Sequence, residues 1–307
     1  MSEHNSSQKK GVFYAFAAYT AWGLLPVYWK AIQAVPAREI LAHRILWSFV
    51  FVASLLILRK QGGNARAVLR DKSKVLGLIL TSLLITSNWY IYIWAVNSNK
   101  VVEASLGYYI NPLLMVLLGV VVLRERMDRW QVVSLLLAAA GVLILTVEFG
   151  KIPWISLSLA TTFSLYGLAK RLVQVDSLLG LALETAMVVP VALIYLSGVQ
   201  VSGAGVIGHS GSLTLLLLLG TGIVTATPLL WFAQAAKMVS FSTIGFIQYV
   251  SPSLSLLLGI FLYHEEFTST HAMSFGVIWI ALAVYSVSRV AVTRRSNLRA
   301  VNSLQGK

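Results

Sequence analysis

Apolar runs of 18 to 23 residues follow one another along nearly the whole of this chain, separated mostly by short polar connections. A helix of about 20 residues crosses the roughly 30 Å hydrocarbon core of a bilayer. Ten such runs can be counted, over residues 11–32, 39–59, 75–96, 103–123, 130–148, 153–172, 179–198, 213–236, 242–263 and 271–291. The 307 residues are 57% hydrophobic and only 11% charged, with a mean hydropathy of +0.78. Soluble domains keep charge near a quarter of their residues, so lipid is the main solvent here. The expected fold is an all-α polytopic membrane protein with ten transmembrane helices.

The net charge of +13 does not point to nucleic acid, because the basic residues lie in short loops between apolar runs, with no patch of interleaved aromatics. In such loops they orient the chain and meet anionic head groups. With the N-terminus inside, 19 Lys and Arg fall on the inner side and 4 (Lys30, Arg38, Lys100, Lys151) on the outer, with Arg44 within a span. Both termini are therefore expected in the cytoplasm. Residues 1–10 read as a disordered cytoplasmic tail ahead of an uncleaved first span, and residues 292–307 as a basic cytoplasmic tail. Cysteine is absent, which removes disulfides, thiol nucleophiles and thiolate metal sites.

A second pattern lies across the first. Shifting the sequence by 140 places Tyr109 on Tyr249, Pro112 on Pro252, Gly119 on Gly259 and Glu125 on Glu265, with 7 of the 17 positions in 109–125 identical. At a shift of 141, "AYTAWGLLPVYWK" from Ala18 lies over "LATTFSLYGLAKR" from Leu159. Residues 11–148 and 153–291 thus read as two five-span copies. Five is odd, so the second copy enters the membrane inverted. Arg124-Glu125-Arg126 then falls inside and His264-Glu265-Glu266 outside. An inverted 5+5 repeat is a pattern of secondary transporters, whose two halves rock about a shared midplane site.

Polar groups within spans mark where that site would lie, because an ionisable side chain at the bilayer centre costs about 2.5–3.5 kcal/mol. His43 and Arg44 in span 2 and Glu184 in span 7 sit about one turn inside their helices. They either pair structurally or act as gate and ion-coupling groups, a proton being the candidate ion. Thr81, Asn88 and Tyr92 share one face of span 3, while Trp89, Tyr90 and Trp94 read as an interfacial belt. Span 6 offers Tyr166 and Lys170, the latter also explained as a positive-inside anchor. Trp22 and Tyr166 could stack on a substrate or pack in the core. Tyr108 and Asn111 precede Pro112 as Gln248, Tyr249 and Ser251 precede Pro252. Prolines at equivalent places free a carbonyl in each helix, tolerable where polar groups or cavity water re-satisfy it.

No catalytic constellation accompanies these residues. His264-Glu265-Glu266-Phe267-Thr268 has Thr268 where the second ligand of a zinc-protease helix belongs, and no Walker A sequence or magnesium-binding acidic cluster occurs. The expectation is no enzyme activity, no metal and no cofactor, with a small-molecule substrate and the lipid bilayer as partners. The alternatives are a sensor or structural membrane subunit and, further off, a membrane enzyme acting on a lipid.

Taken together, "WGLLPVYWK" (22–30), "VPAREILAHRILWS" (35–48), "NWYIYIWAVN" (88–97), "EASLGYYINPL" (103–113), "YGLAKR" (166–171), "LET" (183–185), "GIVTATPLL" (222–230) and "STIGFIQYVSP" (242–252) resemble the RarD group of the EamA family. That family lies within the drug/metabolite transporter superfamily. The resemblance runs from about residue 11 to 290. It implies a ten-helix inverted repeat around a central cavity, in the bacterial inner membrane, exporting small metabolites by alternating access. Two departures stand out. The outer turn is His264-Glu265-Glu266 where relatives more often have Gly-Glu. Spans 1 and 6 also lack the membrane carboxylate that the related small multidrug antiporters use for proton exchange.

Overall fold

The computed structural model describes residues 2–60, 65–97, 101–150, 153–263 and 268–305, and every regular element among them is an α-helix. In order they are α1 (Ser2–Ala31), α2 (Ala37–Leu58), α3 (Ala65–Arg70), α4 (Lys72–Asn97), α5 (Val101–Val121) and α6 (Arg129–Phe149). There follow α7 (Trp154–Leu172), α8 (Ser177–Val201), α9 (Ser212–Met238), α10 (Phe241–Gln248), α11 (Val250–Tyr263) and α12 (Ser269–Gln305). Seven stretches are long and apolar enough to cross a membrane, within α2, α4, α6, α8, α9, α10 with α11, and α12; Leu106–Val121 of α5 is a shorter apolar helix.

Local chemistry sets many of the ends. Asp128 accepts hydrogen bonds from the amides of Trp130 and Gln131 while the Gln131 side chain accepts from the Asp128 amide, a capping box that starts α6. The same helix stops at Gly150, whose φ of +71° suits a residue without Cβ. Asp71, Asp176 and Ser240 cap α4, α8 and α10 in the same way.

Three differences from the sequence reading have plain causes. Helix is already formed at Ser2, where a disordered tail is expected, and at the other end it runs on through the basic tail to Gln305; no proline or glycine interrupts residues 2–10 or 277–305. The basic loop 59–74 contains α3, which packs Val68 against Leu78, Val175 and Leu179. The two proline helices also differ. α5 runs through Pro112 without a break, whereas the matching span divides at Tyr249 into α10 and α11, with Pro252 in the first turn of α11. His264, Glu265, Glu266 and Phe267 lie outside the described residues.

The helices pack in a reciprocal pattern. α1 lies against α9 and α11, and α7 lies against α4 and α5; α2 meets α8 and α9, and α8 meets α4. α5 pairs with α10 and α6 with α12. The main core gathers Tyr19, Met115, Tyr166, Phe232 and Phe241 from α1, α5, α7, α9 and α10. Leu136, Ile194 and Leu216 instead point outward, 64%, 74% and 63% exposed, as lipid-facing side chains do.

Candidate functional site

Two charged centres lie within the bundle. The first is Arg44 on α2. Its Nε donates to Thr225 Oγ1 of α9 at 3.1 Å. The guanidinium carbon lies 4.6 Å from the ring centre of Trp29 and 5.1 Å from that of Trp89, so indole faces from α1 and α4 flank the cation. Tyr92 and Tyr108 lie near it, their rings meeting edge to face at 6.0 Å. Tyr108 is 45% exposed. Sequence reasoning placed Arg44, Tyr92 and Tyr108 among site residues but passed over Thr225 and Trp29. It also assigned Trp89 to an interfacial belt. Thr225 stands three residues before Pro228 in α9, and a hydroxyl beside a helix-internal proline was the available signal.

The second centre is Glu184 on α8, 1% exposed. Its Oε1 accepts from Lys170 Nζ of α7 at 2.8 Å and from Thr81 Oγ1 of α4 at 2.6 Å, and its backbone carbonyl accepts from Ser82 Oγ. Oε2 makes no hydrogen bond of ordinary geometry among the described residues, and the Tyr166 hydroxyl lies nearby. Lys170 therefore serves as a buried ion-pair partner, beyond the anchor role its position suggests. Lys237 of α9 lines the same small crevice as Lys170 and Glu184. A second crevice continues from Glu184 past Thr185, Ile45, Ile85 and Val188 to Trp89. Trp89 thus borders this crevice and also lies against Arg44.

The other sequence candidates divide between structural ties and inter-helix contacts. His43 is buried against α8; its Nδ1 accepts from Trp47 Nε1 at 3.2 Å and its Nε2 has no partner among the described residues. α2 and α8 run antiparallel, with Ala42 near Ala192 and Leu56 near Leu179. His43 and Glu184 consequently sit apart along that contact, by roughly 12 Å at 1.5 Å per residue. Asn88 Nδ2 donates to Leu159 O and Thr162 Oγ1, and Asn111 Nδ2 to Ala160 O and Ser164 Oγ, so both asparagines fasten neighbouring helices to α7. Tyr166 is fully buried and stacked on Phe232 at 6.2 Å, and Trp22 packs against Tyr19, Phe163 and Phe232. Both belong to the core. Gln248 accepts from the buried Tyr19 hydroxyl at 3.2 Å. The Tyr109 hydroxyl donates to Pro252 O and the Tyr249 hydroxyl to Tyr109 O, joining the two proline helices in both directions. The Ser251 carbonyl lies where a Cβ on Gly23 would come within 2.9 Å, so Gly23 lets α1 approach α11.

One end of the bundle is fastened by Glu125, which follows α5. Its carboxylate accepts from the Phe241 and Ser242 amides at 2.6 and 2.9 Å and from Ser242 Oγ at 2.7 Å, filling the N-terminus of α10. Arg171 lies 3.7 Å from the same carboxylate and donates to the carbonyls of Ala236 and Val239. A Cβ on Gly119 would stand 2.8 Å from Glu125 Oε2, so the glycine leaves room for this contact.

Comparison with known proteins agrees with this architecture. Residues 9–147 match the EamA-like transporter family. The uncharacterized transporter YojE of Bacillus subtilis is 46% identical over 298 residues, covering 95% of this chain and 98% of its own. An uncharacterized transporter of Vibrio cholerae is 44% identical over 94% of this chain and 95% of its own, and Protein RarD of Escherichia coli is 40% identical over 94% and 98%. A solved crystal structure superposes with a TM-score of 0.70 at 22% identity, covering 91% of this chain and 98% of that one, which establishes likeness of fold.

Proposed function

The chain belongs to the RarD group of the EamA-like transporter family, a multi-pass bacterial membrane transporter, and from that premise we propose that it is a secondary carrier exporting a small metabolite by alternating access. The observation that carries this reading is the reciprocal helix packing. Exchanging the first five long helices for the second five (α1 for α7, α2 for α8, α4 for α9, α5 for α10 with α11, α6 for α12) leaves the main set of neighbours unchanged. Two interchangeable halves around one set of inward polar groups are what a rocking mechanism needs. On this reading the chain forms ten spans as an inverted 5+5 repeat in the inner membrane, with both termini in the cytoplasm. Its role is transport rather than catalysis.

The two centres take separate roles. Arg44, Tyr92, Tyr108 and Thr225 form the substrate end, and Glu184 with Lys170 forms the coupling end, where a proton entering along the crevices would compete with Lys170 for the carboxylate. Glu125 and Arg171 hold the cytoplasmic side together in the state described. An untargeted comparison of metabolites in the medium of deletion and overexpressing strains tests the reading. Overexpression should raise at least one small solute outside the cell, and the deletion should lower it; indistinguishable media would remove the export function.

A further inference from the structure

Among the described residues, Arg44 lies within a membrane-spanning helix with no carboxylate beside it. Only Nε has a hydrogen-bond partner, Thr225; among the described residues neither Nη nitrogen has one, and no carboxylate lies within 4 Å. The neighbouring His43, whose Nδ1 accepts from Trp47, is no anion and offers no counter-charge. Unpaired charge within a membrane-spanning segment is expensive, and such groups pair or face a polar space. Trp29 and Trp89 lie against the guanidinium and Thr225 holds Nε, so the donors left over lie along the Nη edge. Tyr108 on α5, which meets Tyr92 edge to face, is partly exposed.

We propose that this edge is the binding point for the carboxylate of a small organic monoanion, the solute that the transporter carries. The inference rests on the carrier reading for its biological meaning, though not for its test. Two parallel N–H groups match the two oxygens of a carboxylate, and a charge-assisted fork of this kind is the stronger form of hydrogen bonding. A single guanidinium offers one positive charge, which suits a monocarboxylate better than a phosphate dianion. The flanking indoles and tyrosines suit an apolar body behind the carboxylate and exclude a fully hydrated ion.

The test measures binding to the purified full-length protein in nanodiscs, by equilibrium dialysis and by shift of the thermal midpoint. The probes are acetate, benzoate, benzamide and phenyl phosphate. Benzoate should bind roughly tenfold or more tightly than benzamide, the expected gain from a charge-assisted fork. Arg44→Gln should erase that preference, and Arg44→Lys, which keeps the charge without the fork, should reduce it. Should Arg44→Gln fail to fold, Arg44→Lys decides, and an undiminished preference there overturns the proposal. Equal binding of amide and carboxylate, a preference that survives Arg44→Gln, phenyl phosphate binding as well as benzoate, or no response to either carboxylate would each overturn it. Carboxylate binding without any export of solute would remove the carrier reading and keep the site; export without carboxylate preference would do the reverse.

Discussion

Lys170 Nζ stands 2.8 Å from Glu184 Oε1, with 7% and 1% of the two side chains exposed. Removing one partner of a buried pair strands the other charge, at about 3–5 kcal/mol in soluble proteins, whereas replacing both is much cheaper. Lys170→Met and Glu184→Gln are each expected to lower the thermal midpoint of the purified protein markedly. The double variant should recover most of that loss while losing any dependence of transport on a pH gradient. A double variant as unstable as the two losses added together would show the two groups to be uncoupled.

Glu125 closes one end of the bundle by occupying the N-terminus of α10, with three donors on its two oxygens. Glu125→Gln keeps the size and weakens every one of these bonds. Because the chain has no native cysteine, Ser240→Cys can report on this end without background. Labelling of Ser240→Cys by a membrane-impermeant thiol reagent in inside-out vesicles should accelerate about five- to tenfold in the Glu125→Gln background, the gain expected from loss of 1–1.5 kcal/mol of latch energy. Unchanged labelling would mean that Glu125 does not restrain the opening.

Gly222 lets α9 press against α2: a Cβ there would lie 2.3 Å from the carbonyl carbon and oxygen of Trp47. Backbone cannot yield as a flexible side chain does, so Gly222→Ala should destabilise by about 1–3 kcal/mol. It should also weaken solute binding, since Thr225, one turn further on, holds Arg44. Gly198→Ala on α8, where nothing lies within 4 Å, is the control and should leave the melting temperature unchanged or slightly raised. Equal effects in the two variants would argue against the tight α2–α9 contact.

Asn111 and Asn88 look alike as polar residues within spans, yet their burial separates them. Asn111 is 2% exposed and spends its amide on Ala160 O and Ser164 Oγ. Asn111→Ala removes both side-chain bonds to α7 and should cost about 1–3 kcal/mol, at about 0.5–1.5 kcal/mol for each. Asn88 makes a similar tie from a half-buried position, so Asn88→Ala should cost less. Thermal midpoints of the two variants check this order.

Much of this architecture was legible in the sequence because lipid enforces it. Apolar run length fixes helices, and the Pro112 and Pro252 match is what first suggests the proposed pair of related halves. The inward placement of Arg44, Tyr92 and Glu184 follows from the cost of exposing them to hydrocarbon. What periodicity cannot convey is which polar groups meet. Lys170 looked like a positive-inside anchor, since its place at a helix end fits that role equally well, and only the approach of α8 turns it toward Glu184. Trp89 looked like a belt residue because aromatics near helix ends usually are; its stacking on Arg44 depends on the α2–α4 spacing. Thr225 offered only its place three residues before Pro228, a weaker signal than a charge within a span. The break at Tyr249 was hidden for a related reason, because Pro112 in the matching helix leaves α5 unbroken.

The central claim is that one set of inward polar groups is exposed to the two sides of the membrane in turn. Counterflow in proteoliposomes tests it most directly, using the solute identified by the efflux comparison. The expected result is faster entry of labelled solute when unlabelled solute is present inside, lost with Arg44→Gln. Entry no faster than into empty liposomes, with or without internal solute, would contradict it.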